Sequence, residues 1–180
     1  MRILKERSAL LVIDVQDRIF PAIWENERLK KNIPVLIEGF RVLGIPVFVT
    51  EQYVKGLGTT IPEILAHLEG IERIEKFSFS CCDESRFMLE LASSGKENVI
   101  ICGIESHVCV LQTVIDLVKN GYNPVVVEDC ISSRKPNDRT MAIERMRQEG
   151  AIITTYEAIL FELLRFSGGD TFKAMSKLVK

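Results

Sequence analysis

The chain has 180 residues, of which 47% are hydrophobic and 27% are charged, as in an ordinary globular domain. This composition excludes a disordered chain, a fibre and a collagen. The 23 Lys and Arg residues against 25 Asp and Glu give a net charge of -2, so no nucleic-acid partner is predicted.

The sequence lacks the signals of a membrane or secreted protein. No apolar run approaches the roughly 18 residues that a membrane span needs, so no membrane partner is expected. The first seven residues lack the apolar segment of a secretory signal. The five cysteines are an odd number and include no C-x-x-C pair, which favours free thiols over disulfides or a thiolate metal site. We therefore expect a cytoplasmic protein.

Apolar runs of strand length alternate with segments of helical period along the chain. The predicted strands cover residues 9–14, 46–50, 71–77, 98–102, 123–128 and 151–155. The predicted helices cover residues 28–43, 62–67, 84–92, 108–119 and 137–148, and the tail from residue 157 is also mostly helical. Residues 53–60 form a glycine-rich loop. Pro34 is expected near the start of its helix, because proline removes a hydrogen bond from a helix interior.

This alternation predicts one α/β domain over residues 1–180, a three-layer α/β/α, Rossmann-like arrangement with a six-stranded, mostly parallel sheet. In such sheets the ligand site lies beyond the carboxyl ends of the strands. No G-x-G-x-x-G or P-loop motif follows the first strand. A dinucleotide or triphosphate cradle is therefore not predicted.

Three chemically active side chains follow the predicted strands. Asp14 closes the first strand, and taken alone it is as well interpreted as a helix cap or a turn residue as it is as a functional carboxylate. Lys76 comes at the end of the third strand, where a solvated edge charge is the favoured interpretation for a single lysine. Cys109 lies in the first turn of a helix, where free backbone N–H groups and the helix dipole favour a thiolate. The alternative, a small buried hydrophobe, fits Cys102 and Cys130 better.

His67 and His107 are the only histidines. His107 precedes Cys109 by two positions, and side chains two apart on a helix point in different directions. His67 lies in a short polar helix and is expected at the surface. A protease of the papain or serine-triad type is therefore not predicted.

Together these residues resemble a known family. An aspartate after the first strand, a lysine at the end of the third and the G-I-E-S-H-V-C-V block at residues 103–110 are similar to the isochorismatase-like cysteine hydrolase superfamily. The resemblance extends over essentially the whole chain. The T-E-Q-Y segment at residues 50–53, with G-L-G at 56–58, resembles the narrower branch of isochorismatase domain-containing proteins.

The resemblance implies a catalytic triad of Asp14, Lys76 and Cys109. In this family the aspartate takes the thiol proton and the lysine holds the charges in place, which agrees with the chemistry of a carboxylate and an ammonium beside a thiol. It also implies a cis peptide between Ile104 and Glu105, and an oxyanion hole formed by the backbone amides of Glu105 and Cys109.

The expected reaction is hydrolysis of an amide, C–N or related bond of a small molecule through a covalent cysteine intermediate. Nicotinamidases of the family bind a metal with an aspartate and two histidines after the second strand, but residues 51–58 contain no histidine. We therefore expect no metal, no cofactor and no nicotinamidase activity. The residues expected to bind substrate are Gln16, Phe20, Trp24, Gln52, Tyr53 and Ser106. Phe20 and Trp24 are equally candidates for the core or an interface.

Two alternatives stay open. The chain could be a non-catalytic scaffold that keeps the fold for oligomerisation or partner binding. A role on nucleic acid is the other, since a ribonuclease label is attached to relatives of this branch, although the acidic composition does not support it. Family members form dimers or larger rings, so a homo-oligomer is expected, with the apolar segments 160–164 and 172–178 as the contact.

Overall fold

The computed structural model describes all 180 residues and contains one six-stranded sheet. Its strands are β1 (Ser8–Ile13), β2 (Val47–Gln52), β3 (Arg73–Lys76), β4 (Asn98–Ile104), β5 (Asn123–Ser132) and β6 (Ile152–Thr154). They lie in the order β3-β2-β1-β4-β5-β6, and every neighbouring pair is parallel. The predicted α/β fold is confirmed, and its sheet is parallel throughout.

Helices cover both faces of this sheet. They are α1 (Asn26–Val42), α2 (Val54–Leu57), α3 (Pro62–Leu65), α4 (Ser85–Ser94), α5 (Leu111–Lys119), α6 (Pro136–Gln148), α7 (Tyr156–Leu164) and α8 (Gly169–Leu178). A π-helical turn, Ser106–Val110, leads directly into α5. None of the helices combines the length and the apolar character that crossing a membrane requires.

The side chains of the central strands alternate between two hydrophobic cores, one on each face of the sheet. On β1, Leu10 and Val12 belong to the core that contains α1, α7 and α8, whereas Leu11 and Ile13 belong to the core that contains α4, α5 and α6. Every residue of β1 and β4 is buried. This two-sided burial explains why the strands read as continuous apolar runs.

One expectation about the helices is wrong. Pro34 lies near the middle of the 17-residue α1. A proline there costs a helix about 3 kcal/mol, and the burial of the α1 side chains Ile33 and Phe40 in the core offsets that cost.

In the segments 160–164 and 172–178, which are expected to form a contact between subunits, Leu160 and Met175 are fully buried within the single chain. Phe161, Leu164, Phe172 and Leu178 are partly exposed, and the contact stays a prediction.

Strand β5 is longer than the sequence predicts. The charged residues Glu128 and Asp129 suggest that the strand ends at 128, but it continues to Ser132. Both carboxylates have partners there, because Arg139 pairs with Glu128 and the backbone N–H of Tyr156 donates to Asp129 at 2.9 Å. Bound in this way, the two acidic residues are accommodated inside a strand.

The strand order fixes where the site lies. The chain runs from β1 to β2 and β3 on one side and returns to β4 on the other, so the topological switch point falls between β1 and β4. Ligand sites of parallel sheets occur at the carboxyl ends of the strands that flank such a point. Asp14 follows β1 there, and the π-helical turn that contains Cys109 follows β4.

Gly103 permits the contact between β1 and β4 at this point. Its φ is +122°, and a Cβ atom would lie 2.1 Å from the carbonyl oxygen of Ile13. We expect Gly103→Ala to lower the free energy of unfolding by about 3 kcal/mol or more, because backbone atoms cannot move aside as a side chain can. Urea denaturation measures this loss.

Gly95→Ala is the matched control for Gly103→Ala. Gly95 ends α4 with φ +64° and has no atom within 4 Å of an added Cβ, so only backbone strain of about 1 kcal/mol is expected. Equal losses in the two variants would contradict the steric account of Gly103.

Candidate active site

Asp14 leaves β1 in the left-handed backbone region, with φ +52°, and its carboxylate is buried. Its Oδ2 lies 2.7 Å from Nζ of Lys76, and its Oδ1 accepts a 2.8 Å hydrogen bond from the Thr50 hydroxyl. Both oxygens therefore have fixed partners on β2 and β3. The carboxylate is held in place as a paired, buried group, which a helix cap or a turn residue is not.

Lys76 is completely buried, although it comes from the edge strand β3. Its Nζ lies 2.7 Å from Oδ2 of Asp14 and donates to Oε1 of Gln52 at 2.7 Å. It also donates to the carbonyl oxygens of Ser78 at 3.0 Å and Phe79 at 3.1 Å. The interpretation of Lys76 as a solvated edge charge is wrong, because four oxygen atoms replace water around its three hydrogens.

Cys109 lies in the π-helical turn before α5, and it is 7% exposed. Its carbonyl oxygen accepts a 2.7 Å hydrogen bond from the hydroxyl of Thr113, one turn further along the helix. The Cys109 side chain shares a pocket with Asp14. The structure therefore brings together the three side chains that the sequence singles out at the ends of β1, β3 and β4.

The charges of these groups depend on one another. Burial raises the pKa of the Asp14 carboxyl, while Lys76 and the hydrogen bond from Thr50 oppose that rise. Burial disfavours the charged form of Lys76, but the charge of Asp14, and that of Cys109 whenever the thiol is ionised, outweigh it and raise the pKa of the ammonium. Lys76 is therefore a cation at neutral pH, and Asp14 binds a proton more readily than an exposed aspartate does.

The thiol of Cys109 is protonated in the resting site. Burial raises its pKa well above the ordinary value, the charge of Asp14 raises it further, and Lys76 lowers it. Burial thus favours the neutral thiol of Cys109, in the direction opposite to the thiolate expected from the helix start. Ionisation of Cys109 requires a proton acceptor. Of the two carboxylates that line the pocket, Glu105 is bound to Arg134, and Asp14 is the one whose charge acts on the thiol.

A second thiol, which the sequence does not single out, lies beside this site. Cys81 is buried, and its Sγ lies 3.7 Å from the Thr50 hydroxyl that donates to Asp14. Its backbone N–H donates to the hydroxyl of Thr113 at 3.0 Å. Burial raises the pKa of Cys81 to about 12, so it is a neutral thiol. Thr50 and Cys81 hold Asp14 through a chain of contacts.

The pocket is small, with a volume of about 100 Å³. It is mainly apolar, and its polar members come from the ends of β1, β2 and β4. It is lined by Asp14, Ile19, Gln52, Leu57, Phe79, Ile104, Glu105, Val108 and Cys109. Five of these, Ile19, Leu57, Phe79, Ile104 and Val108, were not expected as pocket residues, because an apolar side chain carries no reactive or hydrogen-bonding group that marks it in the sequence.

Of the six residues expected to bind substrate, Gln52 alone lines this pocket. Gln16 is fully buried, and its side-chain amide donates to the carbonyl oxygens of Gln52 at 2.9 Å and Gly58 at 2.6 Å. It also accepts a 2.6 Å bond from the backbone N–H of Gln52. Gln16 therefore binds the loop between β2 and α3, and its amide is saturated by backbone groups.

The other expected substrate residues lie around the pocket. Phe20 is buried in the core beside α1, and Trp24 lies beneath the guanidinium groups of Arg28 and Arg139. Tyr53 is partly exposed and packs on Phe77, with 5.6 Å between ring centroids. Ser106 is fully buried, and its hydroxyl has no hydrogen-bond partner.

Glu105 joins the pocket to the segment after β5. The peptide between Ile104 and Glu105 is cis, as the family resemblance implies. The Glu105 carboxylate accepts hydrogen bonds from the backbone N–H of Arg134 at 3.1 Å and from its Nε at 3.0 Å. The backbone N–H groups of Val108 and Val110 donate to the Glu105 carbonyl at 3.1 and 3.2 Å. Glu105 thus fixes the start of the helix that contains Cys109.

Neither histidine belongs to the pocket. His107 lies 2.9 Å from the hydroxyl of Ser133, and His67 lies 2.9 Å from the carboxylate of Glu38. No cluster of three or more His, Cys, Asp or Glu side chains in the chain is arranged to hold a metal ion. The expectation that the chain uses no metal and no cofactor stays a prediction.

Comparison with known proteins identifies relatives over nearly the whole chain. The model of the isochorismatase domain matches residues 8–158. Isochorismatase domain-containing protein 2 of Danio rerio is 38% identical over 99% of this chain and 89% of its own length. The secreted isochorismatase effector Isc1 of Phytophthora sojae is 37% identical over 99% of this chain and 87% of its own length.

Solved structures agree with these matches. The MAR1 ribonuclease of Caenorhabditis elegans superposes with a TM-score of 0.93 and 41% identity, covering 99% of this chain and 92% of its own. YcaC of Escherichia coli, described as an octameric hydrolase of unknown specificity, superposes with a TM-score of 0.88 and 25% identity, covering 92% and 83%. The fold is that of the isochorismatase-like hydrolases. The chain belongs to the isochorismatase family.

Proposed function

We propose that this chain hydrolyses an amide or related C–N bond of a small molecule, with Cys109 as nucleophile, Asp14 as base and Lys76 as charge partner. The observation that carries the proposal is the buried Asp14–Lys76 ion pair, 2.7 Å long, beside a thiol in the same pocket. A carboxylate and a thiol in an apolar pocket, with a buried ammonium paired to the carboxylate, form a site for covalent catalysis.

The reaction proceeds in two stages. Asp14 takes the thiol proton as Sγ of Cys109 bonds to the substrate carbonyl carbon, and the amides of Glu105 and Cys109 stabilise the resulting oxyanion. The C–N bond then breaks, the proton on Asp14 passes to the leaving nitrogen, and a thioester remains on Cys109. Water attacks this thioester with Asp14 as base, and the acid product leaves as the thiol is restored.

The experiment that tests this proposal is a screen of small amides for ammonia release, with mass spectrometry of the peptide that contains Cys109. We expect turnover of at least one amide together with a transient adduct on Cys109. Absence of both release and adduct across the panel would favour the alternative of a scaffold that keeps the fold without catalysis.

The site supports a small-molecule substrate over RNA. The C. elegans relative is named as a ribonuclease. In this chain the pocket holds about 100 Å³, no histidine lines it, and the net charge is -2. A ribonucleotide exceeds that volume, and RNA binding relies on cationic groups. These features weigh against ribonuclease activity, and nucleic acid is not among the proposed partners.

A homo-oligomer is part of the proposal. The E. coli relative is described as octameric, which supports assembly of this chain as well. Exposed apolar side chains such as Phe77 and Phe166, which are 71% and 72% exposed, are candidates for a contact between subunits. We expect light scattering at micromolar concentration to give at least the mass of a dimer, and a monomer mass would contradict this expectation.

The cytoplasm is the compartment that the cysteines support best. All five are free thiols, and four of them are buried. Unpaired thiols in these numbers suit a reducing environment. The P. sojae relative is named as a secreted effector, and that description belongs to that protein.

A further inference from the structure

We infer that the active-site pocket selects small uncharged substrates and rejects carboxylates. The inference rests on the proposed function, because it assigns a substrate class to the same site. It follows from three features of the structure: the bonding of Lys76, the charges around the pocket and the pocket volume.

Lys76 has no hydrogen left for a substrate. Four oxygen atoms surround its Nζ within 3.1 Å, on Asp14, Gln52, Ser78 and Phe79. An ammonium has three hydrogens, so its donor capacity is full. Its side chain is also completely buried. Lys76, the one cation in the triad, therefore neutralises Asp14 and is not available to bind an anionic ligand.

No cation lines the pocket, whose walls contain no lysine, arginine or histidine. Arg134 donates to the Glu105 carboxylate, which neutralises the second acidic residue of the lining. Arg18 donates to the carbonyl oxygens of Lys55 and Gly56, at 3.1 and 2.9 Å. Both arginines thus have partners of their own and lie outside the lining.

A carboxylate in this pocket would lose its hydration without gaining a counter-ion. The burial of an unpaired charge is unfavourable, and the negative charge of Asp14 adds repulsion. A neutral amide carries no such charge and meets mostly apolar walls. Because drug-sized ligands occupy roughly 300 Å³ or more, a pocket of about 100 Å³ also limits the substrate to a few heavy atoms.

The test compares two reagents of equal size that differ in charge, iodoacetamide and iodoacetate. With either reagent Sγ of Cys109 bonds to the CH2 carbon, the C–I bond breaks, iodide leaves and the thiol proton is lost. The ratio of the two rates on one protein at one pH is independent of the thiolate fraction. Peptide mass spectrometry measures the modification of Cys109 alone. Glutathione gives the rate ratio of the two reagents for a thiol in free solution.

We expect the rate ratio of iodoacetamide to iodoacetate to be at least about tenfold higher at Cys109 than for glutathione. A ratio equal to that of glutathione would overturn the inference. Failure of both reagents to modify Cys109 even in Asp14→Asn, in which the thiol ionises more readily, would overturn it too, since the pocket would then exclude even the small neutral molecule.

Charge variants at the pocket opening sharpen the test. Phe79 lines the pocket and is 54% exposed, so Phe79→Arg places a cation at the opening without burying it. We expect this variant to reduce the ratio at least about threefold, as a cation pairs with iodoacetate. Phe79→Gln controls for loss of the ring. Leu89→Arg, on α4 at a site 68% exposed and outside the pocket, controls for net charge.

The failure of this inference is distinguishable from that of the proposed function. Discrimination between the two reagents needs no turnover, so a chain that discriminates but hydrolyses no amide would overturn the hydrolysis and support the pocket preference. Amide turnover together with a rate ratio at Cys109 equal to that of glutathione would overturn only the preference for uncharged substrates.

Discussion

Cys109→Ala is expected to lower the turnover of any amide substrate at least about a thousandfold, because the covalent intermediate cannot form without the sulfur. The change removes one buried atom and leaves the helix intact, so the expected loss of unfolding free energy is about 1 kcal/mol. Ammonia release measures the turnover, and circular dichroism with urea denaturation verifies the fold.

Cys82→Ala is the matched control for Cys109→Ala. Cys82 is half-buried, and it lies outside the pocket lining. Its removal is expected to leave turnover within about a factor of two, as for a substitution without contact to the reacting atoms. Retention of wild-type turnover in folded Cys109→Ala would contradict the role of Cys109 as nucleophile.

The fold was predictable because burial on both faces leaves a direct trace in the sequence. The strands β1 and β4 are buried at every position, so each reads as an uninterrupted apolar run. Asp14 and the block around Cys109 come directly after these runs. A parallel sheet brings such positions to one edge, and the positions of these two residues followed from the topology alone.

The details of the pocket were less predictable, because they depend on hydrogen bonds between distant segments. Gln16 follows Asp14 closely and has a polar side chain suited to binding substrate, yet backbone groups of the loop after β2 use its amide. The burial of Lys76 depends on Gln52 and on carbonyl oxygens that no local pattern marks. Thr50 and Cys81 meet Asp14 only after β1, β2 and the turn beyond β3 are assembled.

Lys76→Met and Asp14→Asn are expected to move the alkylation profile of Cys109 in opposite directions. The three groups titrate together, because the positive charge of Lys76 stabilises a negative charge on either Asp14 or Cys109. Measuring the rate of iodoacetamide modification of Cys109 against pH reads this coupling directly, since the thiolate alone reacts.

Without the ammonium, a negative charge on either Asp14 or Cys109 is buried with no partner. Lys76 lowers the pKa of Cys109 in the native site, so Lys76→Met raises that pKa and moves the profile to higher pH. The alkylation rate at neutral pH falls, because a smaller fraction of Cys109 is then the thiolate, and we expect a loss of about tenfold or more. Lys31→Met, at an exposed position of α1, is the control and is expected to leave the profile unchanged.

Asp14→Asn has the opposite effect on the thiol, and it lowers turnover. The charge of Asp14 raises the pKa of Cys109, so its removal lowers that pKa and leaves the thiolate as the single anion beside Lys76. Alkylation at neutral pH therefore becomes faster, while hydrolysis is lost because no base takes the thiol proton or returns it to the leaving nitrogen. Faster alkylation of Cys109 together with slower turnover in Asp14→Asn would support Asp14 as the base. A structural cap at this position would leave the reactivity of the thiol unchanged. Profiles identical to the wild type in both Lys76→Met and Asp14→Asn would refute the triad.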